Sequence, residues 1–148
     1  MNEVGRSIGL DVGDVRIGVA LSDPLGLIPQ PYEVITCVSP EQDAETIVAL
    51  AREKEAKRII VGLPLNMEGK PGAQAEKVLA FIEVLRTKTD IPVLTQDERY
   101  TTAFAERSLI AADVRRKKRK GARDKIAAQQ ILQTWLDRAA RDRRPRES

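Results

Sequence analysis

The sequence predicts an α/β domain whose sheet opens with three antiparallel strands and continues with alternating helices and strands. Three observations carry this reading. Apolar and β-branched residues recur in three short runs, Arg6–Asp11, Val15–Leu21 and Tyr32–Val38, before any helical period starts. From Ser39 onward, helix-period and strand-period runs alternate. The 148 residues suit one domain with a single core, in which roughly two thirds of the unfolded surface is buried on folding.

Each element has its own signal. Ile8, Leu10 and Val12 mark the first strand, and Gly13-Asp14 is a turn that sends the chain back through Val15–Leu21 as a hairpin. Pro24, Gly26 and Pro29 interrupt the pattern, and YEVITCV resumes it as a third strand. Ser39 is an N-cap with Pro40 at the first helical position, and Ile47, Leu50 and Ala51 form that helix's apolar face. The continuous apolar run Arg58–Leu63 fits a central parallel strand. Pro64–Gly72 is a loop, and Ala73–Lys88 a helix with Val78, Ile82 and Leu85 in one stripe. Ile91–Thr95 is a fifth strand, with Asp97-Glu98-Arg99 at its carboxyl end. A helix capped by Thr101 or Thr102 runs to about Ala112, and a last one from Asp124 to about Ala140. Residues 1–140 read as one domain, and 141–148 as an Arg-rich, frayed tail.

Composition narrows the chemistry. There is no histidine, which excludes imidazole-based acid–base catalysis and zinc sites built on imidazole. A single cysteine, Cys37, forms no internal disulfide, and the N-terminus lacks the pattern of a signal peptide, so a cytoplasmic location is expected. No apolar run is long enough for a membrane span. Residues 1–114 hold 12 Lys and Arg against 18 Asp and Glu, whereas the last 34 hold 13 against 4. A basic segment on an acidic body points to a polyanionic partner at one edge of the fold.

Carboxylates with hard, oxygen-seeking cations are then the leading chemistry. Asp11 lies within the first strand, Glu98 (with Asp97 beside it) just past the fifth, and Asp124 at the start of the last helix. Converging carboxylates repel one another unless protonated or bridged by divalent cations. Each has a plainer reading: Asp11 as a turn residue bonded to the Gly13 amide, Asp124 as an N-cap, and Asp97-Glu98-Arg99 as a surface ion-pair cluster. Arg115, Arg116, Lys117, Lys118, Arg119, Lys120 and Arg123 form a basic run without an aromatic, which suits phosphate contacts rather than base stacking. In the loop after Gly62, the amides near Asn66, Gly69 and Gly72, with Lys70, could approach a phosphate, although the spacing is not that of a P-loop. The glycines after Asp11 lead into a second strand rather than a helix, which removes a dinucleotide fingerprint. An actin-like ATPase has a similar first phosphate loop, but needs a much longer chain with a second lobe.

Four motifs in order, GLDVGDVRIGVALSD, VGLPLNMEGKPGAQA, DERYTT and the basic run leading into DKIAAQQIL, resemble the YqgF (RuvX-like) family of bacterial ribonuclease-H-like proteins. The resemblance covers roughly Ile8 to Leu136. It implies a five-stranded mixed sheet in the order 3-2-1-4-5 with flanking helices. It also implies an acidic triad of Asp11, Glu98 and Asp124 around Mg²⁺ or Mn²⁺, with Asp97 as an alternative ligand. The family has been assigned two activities, processing of the 5′ end of pre-16S ribosomal RNA and resolution of Holliday junctions. Both hydrolyse phosphodiesters of structured nucleic acid, RNA or branched DNA. In that setting Arg16, Arg99 and Lys125 are candidates to hold flanking phosphates. A non-catalytic RNA-binding assembly factor stays open as a further class. Junction resolution would call for a two-fold homodimer, whereas the stripe with Trp135 on the last helix reads first as core.

Overall fold

The computed structural model describes residues 5–66, 68–98 and 120–142. The chain runs β1 (Ser7–Val12), β2 (Arg16–Ser22), β3 (Pro29–Thr36), α1 (Pro40–Glu53), β4 (Arg58–Leu63), α2 (Ala73–Lys88), β5 (Val93–Asp97) and α3 (Lys120–Asp142). The sheet order is β3-β2-β1-β4-β5. β1 and β2 pair antiparallel, as do β2 and β3, while β1–β4 and β4–β5 are parallel. This is the order expected of the ribonuclease-H-like architecture, with β1 in the centre.

Alternation along the strands sorts side chains into two layers. Ile8 and Leu10 of β1, Ile17 and Val19 of β2, and Ile59 and Val61 of β4 face α1 and α2, where Ile47, Val78, Ile82 and Leu85 complete the larger core. The opposite face is covered by α3, whose Ala128, Ile131 and Leu132 pack on Ala20 and Ile60. Trp135 is half-buried against this second cluster. The buried Arg58 lies over its ring, 5.6 Å from guanidinium carbon to ring centroid, and donates to Ser7 Oγ at 2.6 Å. That clasp fixes the far half of α3 to the amino-terminal end of the sheet.

β1 and β2 lie within one residue of their expected bounds, and Ser39 caps α1 by accepting from Gln42 N at 3.2 Å. Three expectations need correction. β3 begins at Pro29, not Tyr32, because it is an edge strand, where a proline's missing N–H is tolerated. β5 runs Val93–Asp97 rather than Ile91–Thr95, since its ladder with β4 continues to the Leu63–Asp97 pair. α3 begins at Lys120, so Asp124 stands inside the helix and is not its N-cap; the helix continues to Asp142. The helix expected between Thr101 and Ala112 lies outside the described residues. Among those described, no helix is long and apolar enough to cross a membrane.

Candidate metal and nucleic-acid site

The same alternation decides where the acids point. Asp11 follows Leu10 in β1 and belongs, with Gly9, to the face covered by α3, so it does not interrupt the larger core. Its relative exposure is only 5%. The turn reading of Asp11 fails locally, because the Gly13 amide donates to the Arg16 carbonyl at 2.9 Å.

Asp11 pairs across the ladder with Gly18. A Cβ at Gly18 would fall on the Asp124 carbonyl, so the absence of a side chain there lets the first turns of α3 descend onto the sheet beside Asp11. Gly9 has a similar role, for a Cβ there would lie 2.8 Å from Leu132 Cβ and 2.9 Å from the Ala128 carbonyl. These glycines therefore seat a helix rather than leaving open space beside the strand. Asp124 is brought to Asp11's face through its own backbone.

Glu98 arrives from the other side of β1. Gly62 in β4 pairs with Gln96 in β5, and Glu98, two residues on, falls on the same face. A Cβ at Gly62 would lie 3.1 Å from both Cγ and Cδ of Glu98. Glu98 is 1% exposed. Asp97, half-buried, pairs with Leu63 and shares the α1–α2 face with Val93. The two neighbouring acids thus point to opposite sides of the sheet, and Glu98 is the one on Asp11's side.

Arg16, the first residue of β2, lies two residues before Gly18 and on the same face. Its Nε donates to Asp124 Oδ2 at 3.0 Å, with both side chains about a third exposed at 31% and 28%. Lys125 follows on α3 and is half-buried. Arg99, Arg115, Arg116, Lys117, Lys118 and Arg119 lie outside the described residues. Lys120 and Arg123 belong to the first turn of α3 by their backbone. The loop after Gly62 closes on itself. Asn66 Oδ1 accepts from the amides of Glu68 and Lys70, both at 2.9 Å, and the Gly69 amide donates to the Asn66 carbonyl. Those amides are spent within the turn and are not offered to a phosphate.

Asp11, Glu98 and Asp124 therefore share one face near the carboxyl ends of the central strands. Among the described residues, no three Asp, Glu or Cys side chains are drawn close enough to hold a metal ion. The chemistry of the donor set nonetheless fits a hard cation, being all oxygen and partly desolvated. The Arg16 guanidinium already stands as a positive charge at Asp124. Gln96, buried on the same face, has its Oε1 without a hydrogen-bond partner among the described residues. Sequence reasoning missed both Gln96 and the Arg16–Asp124 pair. Neither type of residue is unusual in its local sequence, and 108 positions separate the paired residues.

Away from this face, a cavity of about 420 Å³ opens between the β1–β2 turn, α1 and α2, lined mostly by apolar groups such as Val12, Ile17 and Phe81. Cys37 lines it, and burial, then the nearby Asp43 and Asp14, push its thiol pKa up. It is a weak nucleophile on the wrong side of the sheet.

The profile of the RuvX family, described as a Holliday junction resolvase, matches residues 5–138. A Desulforamulus reducens protein named "Putative pre-16S rRNA nuclease" is 52% identical over 136 residues, covering 92% of this chain and 99% of its own. A relative of the same name from Halothermothrix orenii is 53% identical over 132 residues, covering 89% and 94%. Among solved structures, T. thermophilus RuvC in complex with Holliday junction substrate aligns over 63% of each chain, with 12% identity and a TM-score of 0.48. With the family profile matched over residues 5–138 and relatives about half identical over 94–99% of their own length, this protein belongs to the RuvX family.

Proposed function

We propose that the protein is a divalent-metal-dependent endonuclease acting on the 5′ end of pre-16S rRNA. The observation that carries the reading is the placement of Asp11, Glu98 and Asp124 on one sheet face, with Glu98 and Asp11 buried there. Three carboxylates turned to one face form an all-oxygen donor set of the kind that hard divalent cations take. Mg²⁺ or Mn²⁺ held by the three acids would, when bound, supply an activated water and charge neutralisation at the leaving oxygen. The chain's own residues do the rest. Asp11, on the central strand, gives the site a rigid floor, and α3 carries Asp124 and Lys125 to its rim. Lys125 and Arg99 would hold flanking phosphates and the run Arg115–Lys120 would draw the nucleic acid in, a sequence-independent and salt-sensitive mode of binding.

The names of the half-identical relatives favour the RNA precursor. The family description favours a second reading, cleavage of four-way DNA junctions. One experiment separates them. The purified protein is incubated with Mn²⁺ and, in parallel, a ribosomal RNA precursor and a four-way DNA junction, with Asp11→Asn as the control. Cleavage of the precursor is expected, with a decrease of at least about a hundredfold in Asp11→Asn, on the scale of several kcal/mol that metal catalysis contributes. Cleavage of the junction alone would move the assignment to the second reading. An Asp11→Asn protein that cuts at the wild-type rate would remove Asp11 from the chemistry.

A further inference from the structure

We infer that Arg16 is a resident cation for Asp124 and competes with the metal ion for that carboxylate. The inference rests on the metal site proposed above. Three observations support it. Arg16 Nε donates to Asp124 Oδ2 at 3.0 Å, so one carboxylate oxygen is already engaged by a full positive charge. Both partners are held from behind. The Arg16 backbone pairs with Thr36 and accepts from the Gly13 amide, and the Asp124 backbone rests on Gly18. The pair is only partly screened, with each side chain about a third exposed.

A guanidinium bonded to Oδ2 and a hard cation at the same oxygen exclude each other sterically, and their charges repel. Metal uptake at Asp124, whether at Oδ2 or at Oδ1, therefore works against the neighbouring guanidinium, and the affinity of the site is lowered by the cost of that repulsion and of any loss of the pair. Removing Arg16 removes the competitor. A purely supporting role predicts the opposite, because a loosened Asp124 would bind metal less well. The two roles differ in the sign of one measurement, and that measurement needs no substrate.

The test is a calorimetric titration of the full-length protein with Mn²⁺ alone, comparing wild type with Arg16→Gln and Arg16→Lys. Arg16→Gln is expected to bind Mn²⁺ about three- to fivefold more tightly, the size that a partly exposed ion pair carries. Arg16→Lys, which keeps the charge on a shorter and non-planar donor, is expected to fall between the two. A thermal melt by circular dichroism verifies that each variant is folded; if Arg16→Gln is not, Arg16→Lys decides alone. If wild type binds Mn²⁺ and the folded variants bind it no more tightly, the competition is refuted while the metal site stands. If neither wild type nor any variant takes up Mn²⁺, the metal-site reading itself falls, and the competition with it.

Discussion

At the scale of single residues, two glycines do more for the site than their lack of side chains suggests. Gly18 sits opposite Asp11 and under the backbone of Asp124. A methyl group there meets main-chain atoms, which cannot rotate away. Gly18→Ala should therefore lift the start of α3, costing about 1–3 kcal/mol as overpacking does, and should move Asp124 away from Asp11. Gly62 is different. A Cβ there would meet the tip of Ile131, which can change rotamer, and the Glu98 side chain at 3.1 Å. Gly62→Ala should lower the melting temperature less than Gly18→Ala while still reducing cleavage, because it presses on Glu98. Chemical denaturation and precursor-cleavage rates on the two variants check this. Equal destabilisation of the two would show that α3 is not seated as closely on Gly18 as described.

Among the elements, the connection between β2 and β3 is gathered around one carboxylate, beside two backbone hydrogen bonds of its own. Asp23 accepts from the amides of Leu27 and Ile28, both at 2.7 Å, and of Leu25 at 3.2 Å. The Ile28 amide is the largest cause holding its pKa below the ordinary 3.8; burial opposes it, and the Leu27 and Leu25 amides add to the lowering. A carboxyl group whose pKa is lowered on folding supports the fold above its unfolded value and loses that support as pH falls through the folded value. The loop should accordingly stay ordered above about pH 4 and loosen below it. Amide-exchange protection factors of Leu27 and Ile28, followed down the acid range, test this. Asp23→Asn should flatten the pH response, since an amide side chain does not titrate there.

For the whole molecule, charge is divided between an acidic body and a basic last quarter, and this division predicts how nucleic acid is held. The first 114 residues carry an excess of acid and the last 34 an excess of base. Binding should weaken steeply with salt. Replacing Arg115, Arg116, Lys117 and Lys118 by Gln should flatten the slope of log affinity against log salt by about 0.7–0.9 for each phosphate that is no longer neutralised. Fluorescence anisotropy at several salt concentrations measures it. An unchanged slope would place the phosphate-binding residues elsewhere.

Much of this molecule is legible along the chain, because strand and helix periods are local. Ile8 and Leu10, the Ser39-Pro40 cap and the apolar run of β4 announce themselves within a few residues. The lack of histidine and the acids at positions 11, 98 and 124 narrow the chemistry without any coordinates. Three things were decided only by the tertiary structure. Glu98 rather than Asp97 faces Asp11 because the β4–β5 register carries the ladder to Asp97 and turns the next residue over. Asp124 belongs to the interior of a helix because α3 begins four residues earlier than its acid suggests. Arg16 meets Asp124 because Gly18 lets a distant helix settle on β2. The facing of Glu98 and the Arg16–Asp124 pair depend on packing between segments far apart in sequence, where local propensity has no say.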